Sequence, residues 1–510
     1  MFTVREPVLK LRGISKRFPG VVANDQVDLD VYPGEVHALL GENGAGKTTL
    51  MNILYGFYQP DEGQIELSGR PVRIGSPAEA MRLGIGLVPQ HPLLVRRHSV
   101  AENLALGLPT GWWRPTKPLG KRLHELKQQY RLDVEAGALV EQLSPGEKQR
   151  VEIIRALLRG AKILILDEPT SVLTPQEAGE LFKVIQRITQ SGGAVLFISH
   201  RLDEVLEIAN RVTVLRKGKA VGSLTPPTDK ATLAEMMVGR QVSFERERGM
   251  AKRGAPVLEV QKLSVFSDRG LPALRSVSFN LHQGEVLGVA GVAGNGQSEL
   301  IQVLAGLRKA VSGSVKLDGR DITGKTPRQL HALGVAHVPE DRIRMGVVPS
   351  MSVAQNLALR NYFRPPFSKG LWLDQQELDQ NALRQIRQHE IAAPKPGTEA
   401  RLLSGGNIQK IILARELAGN LKVILAVHPT YGLDVGASEQ VHATLLQKTQ
   451  EGAAVLLVSE DLDEIISLSD CVGVLYAGEL VGPVEATSVT REQIGLWMMR
   501  GETAFTTIEA

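Results

Sequence analysis

The chain has 510 residues, too many for one ordinary domain, and its 43% hydrophobic and 22% charged content is that of a globular protein with a sizeable core. Its 59 Lys and Arg against 55 Asp and Glu leave a net charge of +4, too small for this length to argue by itself for a nucleic-acid partner. One cysteine, Cys471, excludes an intramolecular disulfide and a cysteine-built zinc site and fits a reducing compartment.

The first residues carry no apolar signal core, and no apolar run approaches the ~20 residues of a membrane span, so work at a membrane is expected to go through a partner. Val36–Leu40 is an apolar run that reads as a strand. Gly41-Glu42-Asn43-Gly44-Ala45-Gly46-Lys47-Thr48 follows and fits the phosphate-binding pattern G-x-x-x-x-G-K-[ST]; Thr49–Leu54 continues as a predicted helix. That order of strand, loop and helix is what the chemistry needs. The glycines let backbone N–H groups curl around phosphate oxygens at a helix N-terminus, Lys47 adds a point charge for the β- and γ-phosphates, and Thr48 can hold Mg²⁺. A plain glycine-rich turn is the competing reading, and the flanking elements argue against it.

Residues from about 92 to 142 read as a more helical insertion. Ile163–Leu166 and Ala194–Ile198 are continuous apolar runs, each ending in polar residues, where open α/β sheets place their ligands. Asp167 ends the first run and is a candidate Mg²⁺ ligand; Glu168 is the candidate to orient and polarise an attacking water. A lone Asp-Glu pair after a strand is usually a solvated turn, but the glycine loop upstream and Pro169-Thr170 downstream favour the functional reading.

The chain then repeats itself. GEVHALLGENGAGKTTL begins at Gly34 and GEVLGVAGVAGNGQSEL at Gly284, an offset of 284 − 34 = 250, and LVPQ ending at Gln90 matches HVPE ending at Glu340 at the same offset. Leu143 matches Leu403, Asp167 matches Val427 and His200 matches Glu460, all at an offset of 260. Ordered markers at kept spacings mean internal duplication, with residues 341–402 as the second helical insertion. The charged, aperiodic stretch 241–256 reads as a solvated linker in preference to a nucleic-acid arm.

Leu143-Ser144-Pro145-Gly146-Glu147 and Leu403-Ser404-Gly405-Gly406-Asn407 resemble the LSGGQ-type signature of the ABC family, and Gln90 and His200 resemble its Q-loop glutamine and switch histidine. The ordered motifs span essentially the whole chain. The fused pair is similar to the ATP-binding subunits of bacterial importers for simple sugars and nucleosides, through Val338–Arg342 and Leu164–Ala178, with Ala293–Leu300 leaning toward the nucleoside branch. The resemblance implies an α/β fold of two tandem P-loop NTPase domains, 1–242 and 256–510, joined by a linker at 243–255. Each is expected to have a doubly wound core, a helical subdomain and an N-terminal β-rich portion. It also implies ATP with Mg²⁺, permease subunits engaged through the helical subdomains and Q-loops, a solute-binding protein, no nucleic acid, and a peripheral place on the cytoplasmic face of the bacterial inner membrane.

In that family two domains clasp ATP head to tail, each site joining the P-loop of one to the signature of the other. Site one would combine Gly41–Thr49, with Lys47 and Thr48, and Gln90, Asp167, Glu168 and His200 with Ser404, Gly405 and Gly406, plus Asp434 at the D-loop position. The metal would lie among Thr48, Gln90 and Asp167, His200 would contact the γ-phosphate, and Phe18 resembles the aromatic that stacks on adenine, an ordinary core aromatic being the competing reading. Site two collects the departures: Gln297, Val427, His428, Glu460 and Glu340 replace Lys47, Asp167, Glu168, His200 and Gln90, with Pro145 in the opposing signature and Thr174 at the D-loop. Losing a unit charge ~4 Å from a phosphate forfeits up to ~4 kcal/mol at an effective dielectric of about 20. Site two is expected not to hydrolyse, though Gly291, Gly294, Gly296 and Ser298 retain a phosphate cradle. Thr174–Glu177 also reads as a capping box and Asp434 as an N-cap.

Two other classes compete. A soluble tandem-ABC factor acting on ribosomal RNA resembles two intact sites on a long helical linker, unlike the short linker and degraded site here. An ABC-type DNA-repair ATPase resembles chains with cysteine-rich zinc insertions, against which one cysteine argues. The solute is not legible, because in such transporters the binding protein and permease touch it.

Overall fold

Two kinds of strand build each half of the chain, and their burial patterns separate them. In the N-terminal half they are β1 (Leu9–Phe18), β2 (Val21–Val31), β3 (Val36–Gly41), β4 (Glu62–Leu67), β5 (Arg70–Val72), β6 (Ile85–Val88), β7 (Ile163–Asp167), β8 (Ala194–Ser199), β9 (Arg211–Arg216) and β10 (Lys219–Leu224). β1 and β2 pair antiparallel, Leu9 opposite Val31 and Leu11 opposite Leu29, and bury one face in the sheet order β2-β1-β4-β5. β3 and β8 are buried at every residue and lie inside a second sheet, β10-β9-β3-β8-β7-β6, parallel except for β10 at its edge. Largely apolar sequence produces the second kind because both faces of a parallel sheet are covered.

The computed structural model describes residues 6–90, 92–106, 117–171, 173, 175–226, 228–240, 254–292, 294–370 and 372–500. Thr174 and nearly all of the expected linker at 243–255 lie outside the described residues. The chain divides into two compact units, Met1–Val242 and Ser243–Ala510.

Helix α1 (Lys47–Leu54) joins the two sheets of the first unit: Leu50, Ile53 and Leu54 share a core with Leu9, Leu11 and Ile14 on one side and Leu39, Ile165 and Leu196 on the other. Burying each such side chain contributes about 1.5–3 kcal/mol, so the phosphate loop is anchored at its helical end. Helices Val100–Ala105 and Lys117–Tyr130 form the expected insertion, followed by α2 (Pro145–Leu158), whose inner face buries Val151, Ile153 and Ile154.

The second unit repeats the plan with β11 (Pro256–Phe266), β12 (Pro272–His282), β13 (Val286–Ala290), β14 (Ser312–Leu317), β15 (Arg320–Asp321), β16 (Val335–Val338), β17 (Ser368–Lys369), β18 (Trp372–Leu373), β19 (Val423–Val427), β20 (Ala454–Ser459), β21 (Cys471–Tyr476) and β22 (Glu479–Glu485). Its sheets run β12-β11-β14-β15 and β16-β19-β20-β13-β21-β22, the same orders as in the first unit. Helix α3 (Gln297–Leu304) matches α1, and α4 (Gly405–Glu416) matches α2. The insertion at 341–402 is less helical than expected: besides Val353–Ala358 and Gln375–Gln388 it holds the β17–β18 hairpin, which turns through Gly370 at a φ of 67°. Among the described residues no helix is long and apolar enough to cross a membrane.

Candidate nucleotide site

Strand register brings the first unit's polar motifs to one sheet edge. β3, β8, β7 and β6 are parallel neighbours, with Leu40 opposite Ser199, Asp167 opposite Ile198 and Val88 opposite Leu166. Their carboxyl ends therefore fall together, and with them the glycine loop after β3, His200 after β8, Asp167 and Glu168 at the end of β7, and Gln90 after β6. This is the edge at which open α/β sheets bind ligands.

Gly46 caps α1 in a left-handed conformation, φ 103°, and no side chain caps the helix. A Cβ at Gly46 would stand 2.3 Å from the Ala23 carbonyl oxygen, so only glycine lets β2 pack this closely against the loop. Lys47 is 6% exposed and its Nζ donates to the carbonyl oxygens of Gly41 at 2.6 Å and Glu42 at 3.0 Å. Glu42, Ala45 and Thr49 are covered to differing degrees, while Asn43, Gly44 and Thr48 are exposed on the loop's open side. A cationic ammonium inside a ring of backbone, at an uncapped helix N-terminus, can take phosphate oxygens.

Glu168 is gripped at both oxygens. Gln90 Nε2 donates to Oε2 at 2.8 Å, and His200 Nδ1 lies 2.9 Å from Oε1. Burial acts to raise this carboxyl, but the His200 hydrogen bond and the charges of His200 and Lys47 outweigh it and hold Glu168 below its ordinary value. Its φ of 44° is strained for a residue with a side chain, and its N–H is fixed on the Ile198 carbonyl at 2.9 Å. Asp167 behaves oppositely: burial first, then the neighbouring Glu168 charge, push its carboxyl up to about 6 against the pull of Lys47. Among the described residues no donor bonds its side chain. A half-buried carboxylate without a donor fits a cation, and among the described residues no group of three His, Cys, Asp or Glu side chains is placed to hold a metal ion by itself, so a metal here would need phosphate oxygens as well.

Phe18 is not a core aromatic. It is 37% exposed and sits edge-on to Tyr58, ring centroids 5.4 Å apart, with Lys16 Nζ 5.8 Å from its ring.

The second unit keeps the shape and loses the chemistry. Gly296 caps α3 at φ 109°, and Gln297, also 6% exposed, donates through Nε2 to the Val292 carbonyl at 3.0 Å. Val427 is buried in the apolar core where Asp167 stands in the first unit. His428 repeats the strained backbone at φ 43° and the same N–H bond, to Val458 at 2.8 Å, with an imidazole in place of the carboxylate.

The two signature segments differ in the side-chain hydrogen bonds of their serines. Ser144 and Glu147 close a capping box: Ser144 Oγ accepts from the Glu147 N–H at 3.2 Å and Glu147 Oε2 accepts from the Ser144 N–H at 2.7 Å. Ser144 Oγ also lies 3.4 Å from Glu177 Oε1. Ser-x-x-Glu is itself a capping signal, so the first box was legible at Ser144 as it was at Thr174; the approach of Glu177 was not. In the second unit Ser404 makes no side-chain cap on α4; its Oγ instead accepts from Asn407 Nδ2 at 2.8 Å, while Asn407 Oδ1 accepts from the Ala392 N–H at 2.7 Å. Asp434 caps its helix through the Ala437 N–H at 2.9 Å.

Comparison with known proteins agrees with this geometry. The sequence model of the ABC transporter family matches residues 24–171 and 274–431. The chain is 44% identical to the glucose import ATP-binding protein of Haloferax volcanii, over 99% of this chain and 98% of that one. It is 43% identical to the nucleoside import ATP-binding protein of Lactococcus lactis, over 97% and 99%, and 43% identical to the guanosine import ATP-binding protein of Bacillus subtilis, over 98% of each. An archaeal ribosome recycling factor shares the fold at a TM-score of 0.64 and 20% identity, across 96% of this chain and 92% of that one. Two glycine loops at the edges of two matching sheets, and relatives that align from end to end, lead to one conclusion: the chain belongs to the ABC transporter family as a tandem ATP-binding subunit, and is an ATPase.

Proposed function

We propose that this ATPase energises import of a small polar solute of the sugar or nucleoside class, from the cytoplasmic face of the membrane and through permease subunits served by a solute-binding protein. The observation that carries this reading is end-to-end similarity to ATP-binding proteins of glucose, nucleoside and guanosine import. The ribosome-acting alternative has only fold-level likeness behind it, at 20% identity. A purified complex with permease genes neighbouring this one should show solute-stimulated ATP hydrolysis; ATPase stimulated by ribosomes and not by any permease complex would overturn the proposal.

In this reading Lys47 leaves its loop carbonyls for the β- and γ-phosphates, the uncapped N–H groups of α1 hold the remaining oxygens, and Phe18 stacks on the adenine. Thr48, Asp167 and Gln90 would hold Mg²⁺, which when bound neutralises phosphate charge. Glu168 orients the attacking water once Gln90 releases it, and His200 contacts the γ-phosphate. Ser404, Gly405 and Gly406 complete this site, and the second glycine loop binds nucleotide without hydrolysing it.

The composite character is tested by crosslinking. With Cys471→Ser as background, Asn43→Cys paired with Ser404→Cys should crosslink in the ATP-loaded Glu168→Gln protein. A crosslink formed instead with Ser144→Cys would sink the composite site.

A further inference from the structure

The two signature serines have different charged neighbours. Around Ser144 stand two carboxylates: Glu147 in the capping box, and Glu177, whose Oε1 would lie 2.6 Å from a Cβ placed on Gly146. Pro145 also removes one backbone N–H from that turn. Around Ser404 these groups are gone. Asn407 and Ala437 stand at the positions of Glu147 and Glu177, since 147 + 260 = 407 and 177 + 260 = 437. A cation has arrived: Arg342 Nη1 would lie 3.2 Å from a Cβ on Gly405, and Nη2 3.4 Å from one on Gly432. The guanidinium thus lies between the signature turn and the turn before Asp434, close to the backbone of both glycines.

Arg342 has no hydrogen-bonding or ion-pair partner among the described residues. Its neighbour Asp341 is engaged elsewhere, accepting from the N–H groups of Ile343 at 3.0 Å and Arg344 at 2.8 Å. Burial is the larger influence on the Arg342 pKa and draws it down, with Tyr431 and Asp341 opposing. A half-buried guanidinium offers several donors in a planar fork, and leaving them without an acceptor is costly unless an anion arrives. The corresponding first-unit residue, at 342 − 250 = 92, is Pro92, so the arginine is special to the signature that keeps both glycines.

We propose that Arg342 is a phosphate-binding residue of the ATPase: its guanidinium, held beside Ser404 and Gly405, takes an oxygen of the terminal phosphate of ATP. This rests on the reading that the Ser404–Gly406 segment receives the nucleotide. Glu147 and Glu177 do the reverse, repelling phosphate from the Ser144 segment, so discrimination between the two sites lies in the signatures as well as in the glycine loops.

The test uses the full chain carrying Glu168→Gln, with ATP and ADP binding measured in magnesium as the component that Lys47→Ala removes. Arg342→Ala should weaken ATP about tenfold and leave ADP within about twofold, because ADP lacks the phosphate being read. Arg342→Lys, which keeps the charge without the fork, should fall between. Equal losses for ATP and ADP would reduce Arg342 to a structural role and overturn the proposal. Unchanged ATP affinity in Arg342→Ala, with a loss in Ser404→Ala, would overturn it and leave the composite reading standing; no change in either variant would remove the composite reading itself.

Discussion

Lys47 and Gln297 make the same contact in the two units. Each is 6% exposed, and each turns back on its own loop to donate to a carbonyl 3.0 Å away, Glu42 for the lysine and Val292 for the glutamine. The glutamine preserves the loop's packing and discards its charge. Lys47→Ala should therefore lower ATP turnover about a hundredfold or more, the scale of a lost charge beside a phosphate. Gln297→Ala should leave turnover within about twofold and cost the second unit about 1–2 kcal/mol of stability, the scale of an unsatisfied buried group. Steady-state ATPase rates and chemical denaturation of both variants check the pair.

Glu168→Gln should bind ATP and hydrolyse it at least about a hundredfold more slowly, because a positioned general base contributes that much or more. The amide can still meet Gln90 and His200, so the thermal midpoint should move little. Near-normal turnover would remove Glu168 from the role assigned to it.

Asp167 makes the nucleotide-free first unit depend on pH. Its carboxyl is raised from 3.8 to about 6 in the folded state, so between those values the native protein binds more protons than the unfolded chain and loses stability as pH rises. Above about 6 the penalty is constant, at most about 3 kcal/mol. Asp167→Asn should then raise the nucleotide-free melting temperature at pH 7.5, with the gain shrinking toward pH 4, while hydrolysis is lost. Melting curves across that range decide it; a variant less stable than the parent at pH 7.5 would contradict the burial argument.

Ser144 and Ser404 hold equivalent sequence positions and should respond differently. Ser144→Ala breaks a capping box and should cost about 1 kcal/mol of stability with little change in ATPase. Ser404 caps nothing, so Ser404→Ala should leave stability nearly unchanged and reduce turnover at least about tenfold. Parallel denaturation and ATPase measurements separate the two.

How much of this was legible before the fold follows from where each signal resides. The glycine loop announces itself because strand, turn and helix are local, and Gly41, Gly46 and Lys47 must be contiguous to wrap a phosphate. The apolar runs of β7 and β8 likewise specify strands buried on both faces. Phe18 was ambiguous, since a single aromatic carries no period; its exposed place beside Tyr58 came from the β1–β2 turn. The insertion at 341–402 reads as more helical than the rest, and its Gly370 hairpin was missed because two-residue strands are too short for a period to register.

By itself the sequence determined the duplication, the sheet-forming segments, and which chemical groups the first unit keeps and the second has lost, because those are carried by residue identity and spacing. Only the tertiary structure decided which groups meet. Gln90, Glu168 and His200 are separated by long stretches of chain and converge because parallel neighbours align their carboxyl ends. Arg342 reaches Gly405, and Glu177 reaches Ser144, through the packing of separate elements, which no local pattern encodes.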